Sequence, residues 1–326
     1  MKNEYCSTFI PGLEDMVAQA MRRTGGVSVE QIGRGYCVYR SVKEPQLPFM
    51  HRSFLLLSRL RREKDVDTAL RRIQSDDSWM DRLPFEQAAG KTFRLTAHEN
   101  GTPVSASMKT VHLIENRICE QTGMRVHRDR PAVEIWVDLR EDATLLLWYS
   151  AHRREKESDL LRRDLCELMA ACMSVSGRNA AVIGCTGENL PRALKAAGAR
   201  KVTCAFYDRG ARERMQRSGE DRLVILPGPL SDTGIPDGGM QAVFFLVPTK
   251  SEERLDESDV RGGFRESLRI LENGGLMMIL LPRRLREESR RRLGSCRRVW
   301  QHTLLLGGEA YELSLLERDT EESGRE

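Results

Sequence analysis

The second half of the chain alternates short apolar runs with stretches at helical spacing. Ala180–Ile183 is apolar, Gly184-Cys185-Thr186-Gly187 turns, and Asn189–Ala197 reads as a helix that Gly198 stops. Val202–Tyr207, Leu223–Leu226 and Gln241–Val247 are further strands, and Asp208–Arg217 is a helix between the first two. Gly263–Leu271 is helical and ends in Asn273-Gly274-Gly275, a turn that feeds the strand Leu276–Leu281. Strands and helices alternating in this way predict a doubly wound parallel sheet with a ligand crevice at the strand carboxyl ends. Trp300–Leu306 and Ala310–Leu316 flank Gly307-Gly308-Glu309, so the sheet closes on an antiparallel hairpin.

The first half follows another pattern. Tyr5–Ile10 reads as a strand, and Pro11-Gly12 opens a helix with Leu13, Met16, Val17 and Ala20 on one face. Tyr36–Arg40 and Ser53–Leu57 are strands and Asp67–Ile73 a short helix. Next come a strand, Phe93–His98, and a helix, Met108–Gln121, with Val111, Ile114 and Ile118 on one face. Val133, Ile135 and Val137 alternate with Glu134, Trp136 and Asp138, the period-2 signature of a half-buried strand, and Ala143–Tyr149 completes the group. The chain thus divides into two small α+β units (1–65 and 66–150), a connector (151–176), an α/β sheet domain (177–318) and a polar tail (319–326) expected to be disordered.

Composition narrows the function classes. Of 326 residues, 40% are apolar and 31% charged, enough for a core and too many apolar residues for wholesale disorder. No run approaches the roughly 18 apolar residues of a membrane helix, and the amino terminus lacks the pattern of a secretory signal. Eight cysteines stand singly, without metal-like pairing, as small buried hydrophobes of a reducing compartment, so the cytoplasm is expected and a metal site is not. The net charge of +4 hides 43 Arg against 9 Lys. Arginine's planar fork suits phosphate, although codon bias produces the same surplus. Eight arginines fall between Arg283 and Arg298, among them Arg290, Arg291 and Arg292. Such a cluster either neutralises phosphates or forms a solvated helix face.

The order of these parts resembles a known family. Thr8-Phe9-Ile10-Pro11-Gly12-Leu13-Glu14, Phe93-Arg94-Leu95, Arg130-Pro131-Ala132-Val133 and the Leu145–Tyr149 strand with His152-Arg153-Arg154 resemble the THUMP-domain RNA methyltransferases. The resemblance implies a ferredoxin-like unit, a THUMP unit and a Rossmann-like class I methyltransferase sheet with an antiparallel carboxy-terminal hairpin. It also implies S-adenosyl-L-methionine as cofactor and structured RNA, tRNA or rRNA, as partner. Lys91, Arg94, Lys109, Arg125, Arg128 and Arg130 are then candidate contacts to the RNA backbone.

Catalysis at a guanine N2 amine needs acceptors for the amine hydrogens and an aromatic to stack on the extruded base. The family supplies them from an Asp/Asn-Pro-Pro-Tyr/Phe turn, which here reads Val247-Pro248-Thr249. The first family motif, Asp-Pro-Phe-Cys-Gly-Ser-Gly-Thr, survives as Val182-Ile183-Gly184-Cys185-Thr186-Gly187-Glu188 without its acid. Gly184, Gly187, Glu188 and Asp208 remain as candidate cofactor contacts, Asp208 toward ribose hydroxyls, although a helix N-cap uses the same residue type. Pro227-Gly228-Pro229 stands where the family has an acid near the adenine. The expectation is an RNA-binding protein with weakened or lost catalysis. An active methyltransferase with a divergent turn is the alternative, and an NAD(P)-binding Rossmann oxidoreductase a second, with Leu190 in place of a third glycine.

Overall fold

The computed structural model describes residues 2–88, 90–150, 161–206, 209–217, 223–226, 229–247, 257–285 and 296–320. Contacts divide the chain into two units, Met1–Phe9 with Met21–Lys156 and Ile10–Ala20 with Glu157–Glu326. Helix α1 (Glu14–Arg22) counts mainly with the second.

One sheet underlies the first unit. Its strands are β1 (Asn3–Thr8), β2 (Val27–Gly33), β3 (Tyr36–Ser41), β4 (Arg52–Arg61), β5 (Thr92–Glu99), β6 (Thr102–Pro103), β7 (Arg125–Val126), β8 (Val133–Leu139) and β9 (Ala143–Ser150). They pair in the order β2-β3-β1-β4-β9-β8-β5-β6, with β7 also on β5. The antiparallel β4–β9 pairing, from Leu55↔Trp148 to Arg61↔Ala143, makes one continuous sheet of segments 1–65 and 66–150. Strand β2 escapes the sequence reading because a bulge between Val29 and Gln31 shifts the phase of its alternation.

The unit's helices are α2 (Val66–Ser75), α3 (Phe85–Ala88) and α4 (Met108–Thr122). Asp65 caps α2 by accepting the Thr68 amide at 2.7 Å, and Gly123, at φ +69°, ends α4. Val66, Ala69, Leu70 and Ile73 of α2 join Val111, Ile114 and Ile118 of α4 over Val133, Ile135, Val137 and Leu139 of β8. The other face of β8, read from sequence as solvent-facing, is buried as well. Trp136 lies in a second apolar cluster with Phe54, Leu145 and Leu147, and Asp138 is fully buried. Polar partners make that burial tolerable. The His98 ring stacks on Trp136 at 3.7 Å, Asp138 Oδ1 accepts the Gly101 amide at 3.1 Å, and Asp138 Oδ2 stands 2.5 Å from Arg140 Nη2.

The second unit holds α5 (Arg163–Met173), β10 (Asn179–Cys185), α6 (Asn189–Ala196), β11 (Lys201–Phe206), α7 (Arg209–Arg217), β12 (Leu223–Leu226) and β13 (Met240–Leu246). It continues with α8 (Glu257–Ile270), β14 (Leu271–Pro282), β15 (Cys296–Leu306) and β16 (Glu309–Arg318). The strand order is β12-β11-β10-β13-β14-β16-β15. The first five strands run parallel and the closing hairpin antiparallel, the predicted Rossmann-like layout.

Two local departures have physical causes. The segment read as a connector contains α5, whose Leu165, Cys166, Leu168, Met169, Cys172 and Met173 are buried; the charged run before it masked this apolar stripe. Asn273-Gly274-Gly275 is not a turn ahead of β14 but a bulge inside it: Met240↔Leu271 and Ala242↔Leu276 are successive pairs of the ladder, and Gly274 takes φ +73°. In the same unit Gly12, at φ +95°, passes so close to β15 that an added Cβ would lie 2.3 Å from Thr303 O. That glycine is required where the chain enters α1.

Candidate functional site

The carboxyl ends of β10 and β13 form the first candidate site. Gly184 adopts φ +81° at a register shift between Ile183 and Cys185, so β10 ends in a bulge that only glycine accommodates without strain. Beyond it, the Cys185 thiol donates to Gly187 O at 3.2 Å, which folds the turn onto itself. Glu188 stands at the N-cap of α6 and pairs with Arg192 at 2.7 Å. Leu161, Cys185, Thr186, Gly187, Asn189, Leu190 and Leu246 line a cleft at this turn. Asn189 Nδ2 donates to Leu161 O at 2.8 Å and fixes Leu161 in that lining.

Val247 follows directly on β13. Its amide donates to Leu280 O at 2.9 Å, extending the ladder to β14, and its side chain is 2% exposed within the apolar core beside Phe245 and Ile279. The valine side chain itself carries no hydrogen-bond acceptor. Asp208, Pro248, Thr249, Arg290, Arg291 and Arg292 lie outside the described residues, as do Pro227 and Gly228.

A second candidate site lies on the first unit. The loop after α4 runs alongside β5: the Arg125 amide donates to Lys91 O at 3.1 Å and the His127 amide to Phe93 O at 2.8 Å. Within the loop the Arg130 amide donates to His127 Nδ1 at 3.1 Å. Four of the predicted contacts, Lys91, Arg125, Arg128 and Arg130, are thereby gathered around one exposed loop, with Arg94 at its base. Lys109 is not among them, because it sits at the opposite end of α4. Lys91, Arg125 and Arg130 have exposed side chains without an ion pair or hydrogen bond among the described residues, and Asp129 is the loop's carboxylate.

Arg94 and Arg128 are paired with carboxylates of the fold. Both oxygens of Glu115 receive Arg128, Oε2 at 2.6 Å, while Arg94 reaches Glu134 Oε1 at 2.6 Å and Arg128 O at 3.2 Å. Glu134 also accepts Trp136 Nε1 at 2.8 Å. Sequence reasoning missed Glu115 and Glu134. The signal for Glu115 was present: it falls on the apolar stripe of α4, four residues after Val111 and three before Ile118, where a carboxylate needs a buried partner.

No protein-family model matches the chain, and no curated protein matches it. Solved structures do. The chain is similar to TrmN from Thermus thermophilus at a TM-score of 0.75 and 20% identity, over 97% of this chain and 99% of that one. It is also similar to a possible methylase from Clostridium difficile 630 at a TM-score of 0.68 and 14% identity, over 100% of both chains. At these identities the likeness establishes the fold: a class I methyltransferase-type sheet unit preceded by an α+β unit, spanning the whole length.

Proposed function

We propose that the chain is an RNA-binding protein of the THUMP methyltransferase type, acting on tRNA or rRNA in the cytoplasm, whose sheet unit has lost guanine-N2 methylation. The RNA half of this reading is supported by the loop 125–130. Three exposed cations held around one backbone scaffold present a surface that phosphates neutralise, releasing counterions. The whole-length likeness to TrmN and to a possible methylase supports the same assignment.

The loss of catalysis is carried by one observation, the burial of Val247. Where the family's amine-holding acceptor belongs, the chain places an apolar side chain inside the core, its backbone committed to β14. The glycine turn also lacks the acidic residue of the family's first motif. Glu188, the carboxylate at the turn among the described residues, is paired with Arg192. Against the oxidoreductase alternative, Leu190 is buried where a third glycine would stand.

Two measurements test the proposal. Gel shift of total tRNA across a salt series should show retention at 50 mM salt that falls steeply as salt rises. Calorimetry with S-adenosyl-L-methionine should give no micromolar binding, and labelled methyl should not reach tRNA or rRNA. Micromolar binding together with transferred label would overturn the loss of catalysis; a flat salt response would overturn the RNA grip.

A further inference from the structure

Arg128, although its side chain is 43% exposed, is not a free cation. Arg128 directs both terminal nitrogens to the two oxygens of Glu115, a side chain only 2% exposed. A bidentate, charge-assisted pair of this kind fixes both position and orientation. Glu115 Oε1 also accepts the Leu95 amide of β5 at 3.4 Å, so the same carboxylate touches helix, strand and loop. On the other side Arg94, itself anchored by Glu134, donates to the carbonyl of Arg128 at 3.2 Å. Arg128 is thus held at its guanidinium by α4 and at its backbone by β5.

We propose that Glu115 is a positioning residue for the loop. It keeps Arg128 paired as a strut, so that Arg125 and Arg130 meet the nucleic acid in a preset arrangement while Arg128 itself contacts no phosphate. This rests on the RNA-binding reading above and reverses the role that sequence alone gives Arg128. The charge arithmetic makes it testable. If Glu115 only damped a basic surface, removing its charge would tighten RNA binding. If it organises the loop, removing it weakens binding although the protein becomes more cationic.

The experiment uses the full chain, end-labelled total tRNA and gel shift over a salt series, with circular dichroism to confirm folding. Glu115→Gln is expected to lose roughly two- to twelvefold in affinity, the cost of ordering one freed long side chain on binding. The slope of log affinity against log salt should stay at the wild-type value, since no phosphate contact is removed. Arg128→Lys keeps the charge but loses the fork. It should show the same loss with the same slope, and it carries the test if Glu115→Gln fails to fold. Tighter binding by Glu115→Gln, wild-type affinity of Arg128→Lys, or a slope reduced by about 0.7–0.9 in Arg128→Gln would each overturn the proposal. Absence of wild-type binding would instead overturn the RNA reading, and the loop's role with it.

Discussion

Arg140→Met isolates the buried ion pair on the polar face of β8. Arg140 and Asp138 are 3% and 0% exposed, with Nη2 and Oδ2 2.5 Å apart, and the guanidinium lies 5.2 Å over the Tyr36 ring. Methionine fills a similar volume but leaves Asp138 with the Gly101 amide alone. Breaking a buried pair from one side costs about 3–5 kcal/mol. Asp138→Asn combined with Arg140→Met removes both charges and should return within about 1 kcal/mol of wild type. Urea unfolding followed by tryptophan fluorescence suits the measurement, because Trp79, Trp136 and Trp148 all report on the first unit. A single-variant penalty below about 1 kcal/mol, or a double variant as unstable as the single, would refute the reasoning.

Other perturbations follow from the same geometry. Gly12→Ala adds a methyl 2.3 Å from Thr303 O at φ +95° and should destabilise the second unit by about 2–4 kcal/mol, read from its thermal midpoint. Val247→Asp, which restores the acidic residue type of the family turn, buries an unpaired carboxylate; melting should show a loss of about 3 kcal/mol or more, with no labelled methyl transferred. His98 is held below its ordinary value of 6.5, chiefly by burial, although Asp138, the Gly101 carbonyl and Glu134 pull the other way. The folded protein therefore binds fewer protons than the unfolded chain, so this contribution is present above pH 6.5 and lost as pH falls below it. His98→Phe should flatten stability between pH 7 and 5, leaving a residual slope from His302, also lowered by burial. An unchanged profile would place the acid sensitivity elsewhere.

Much of the sheet unit was legible because its signals are local. Ala180–Ile183, Gln241–Val247 and the Gly307-Gly308 hairpin each carry period, length and turn chemistry in a few residues. The reading failed where a bulge shifted the phase, as at Val29–Gln31 and Glu272–Gly275, because period counting assumes an unbroken ladder. It failed again at Glu134, Trp136 and Asp138: alternation marks two faces but cannot say that both are covered. Of the site, residue types identified the basic loop, and the backbone bonds of Lys91 and Phe93 explain why residues far apart in sequence converge there. What sequence could not separate was a free arginine from an occupied one. Arg125 and Arg128 look alike in the string, and only the buried Glu115 tells them apart.

The β4–β9 pairing has a consequence for how the first unit comes into being. Leu55 meets Trp148 across roughly ninety residues of intervening chain, and closing so long a loop is entropically late work. Until β9 emerges from the ribosome, β4 presents an open apolar flank, with Phe54, Leu56 and Leu57 awaiting cover. The protein is therefore most prone to aggregate partway through its own synthesis. Truncation anywhere between β4 and β9 would make that transient exposure permanent.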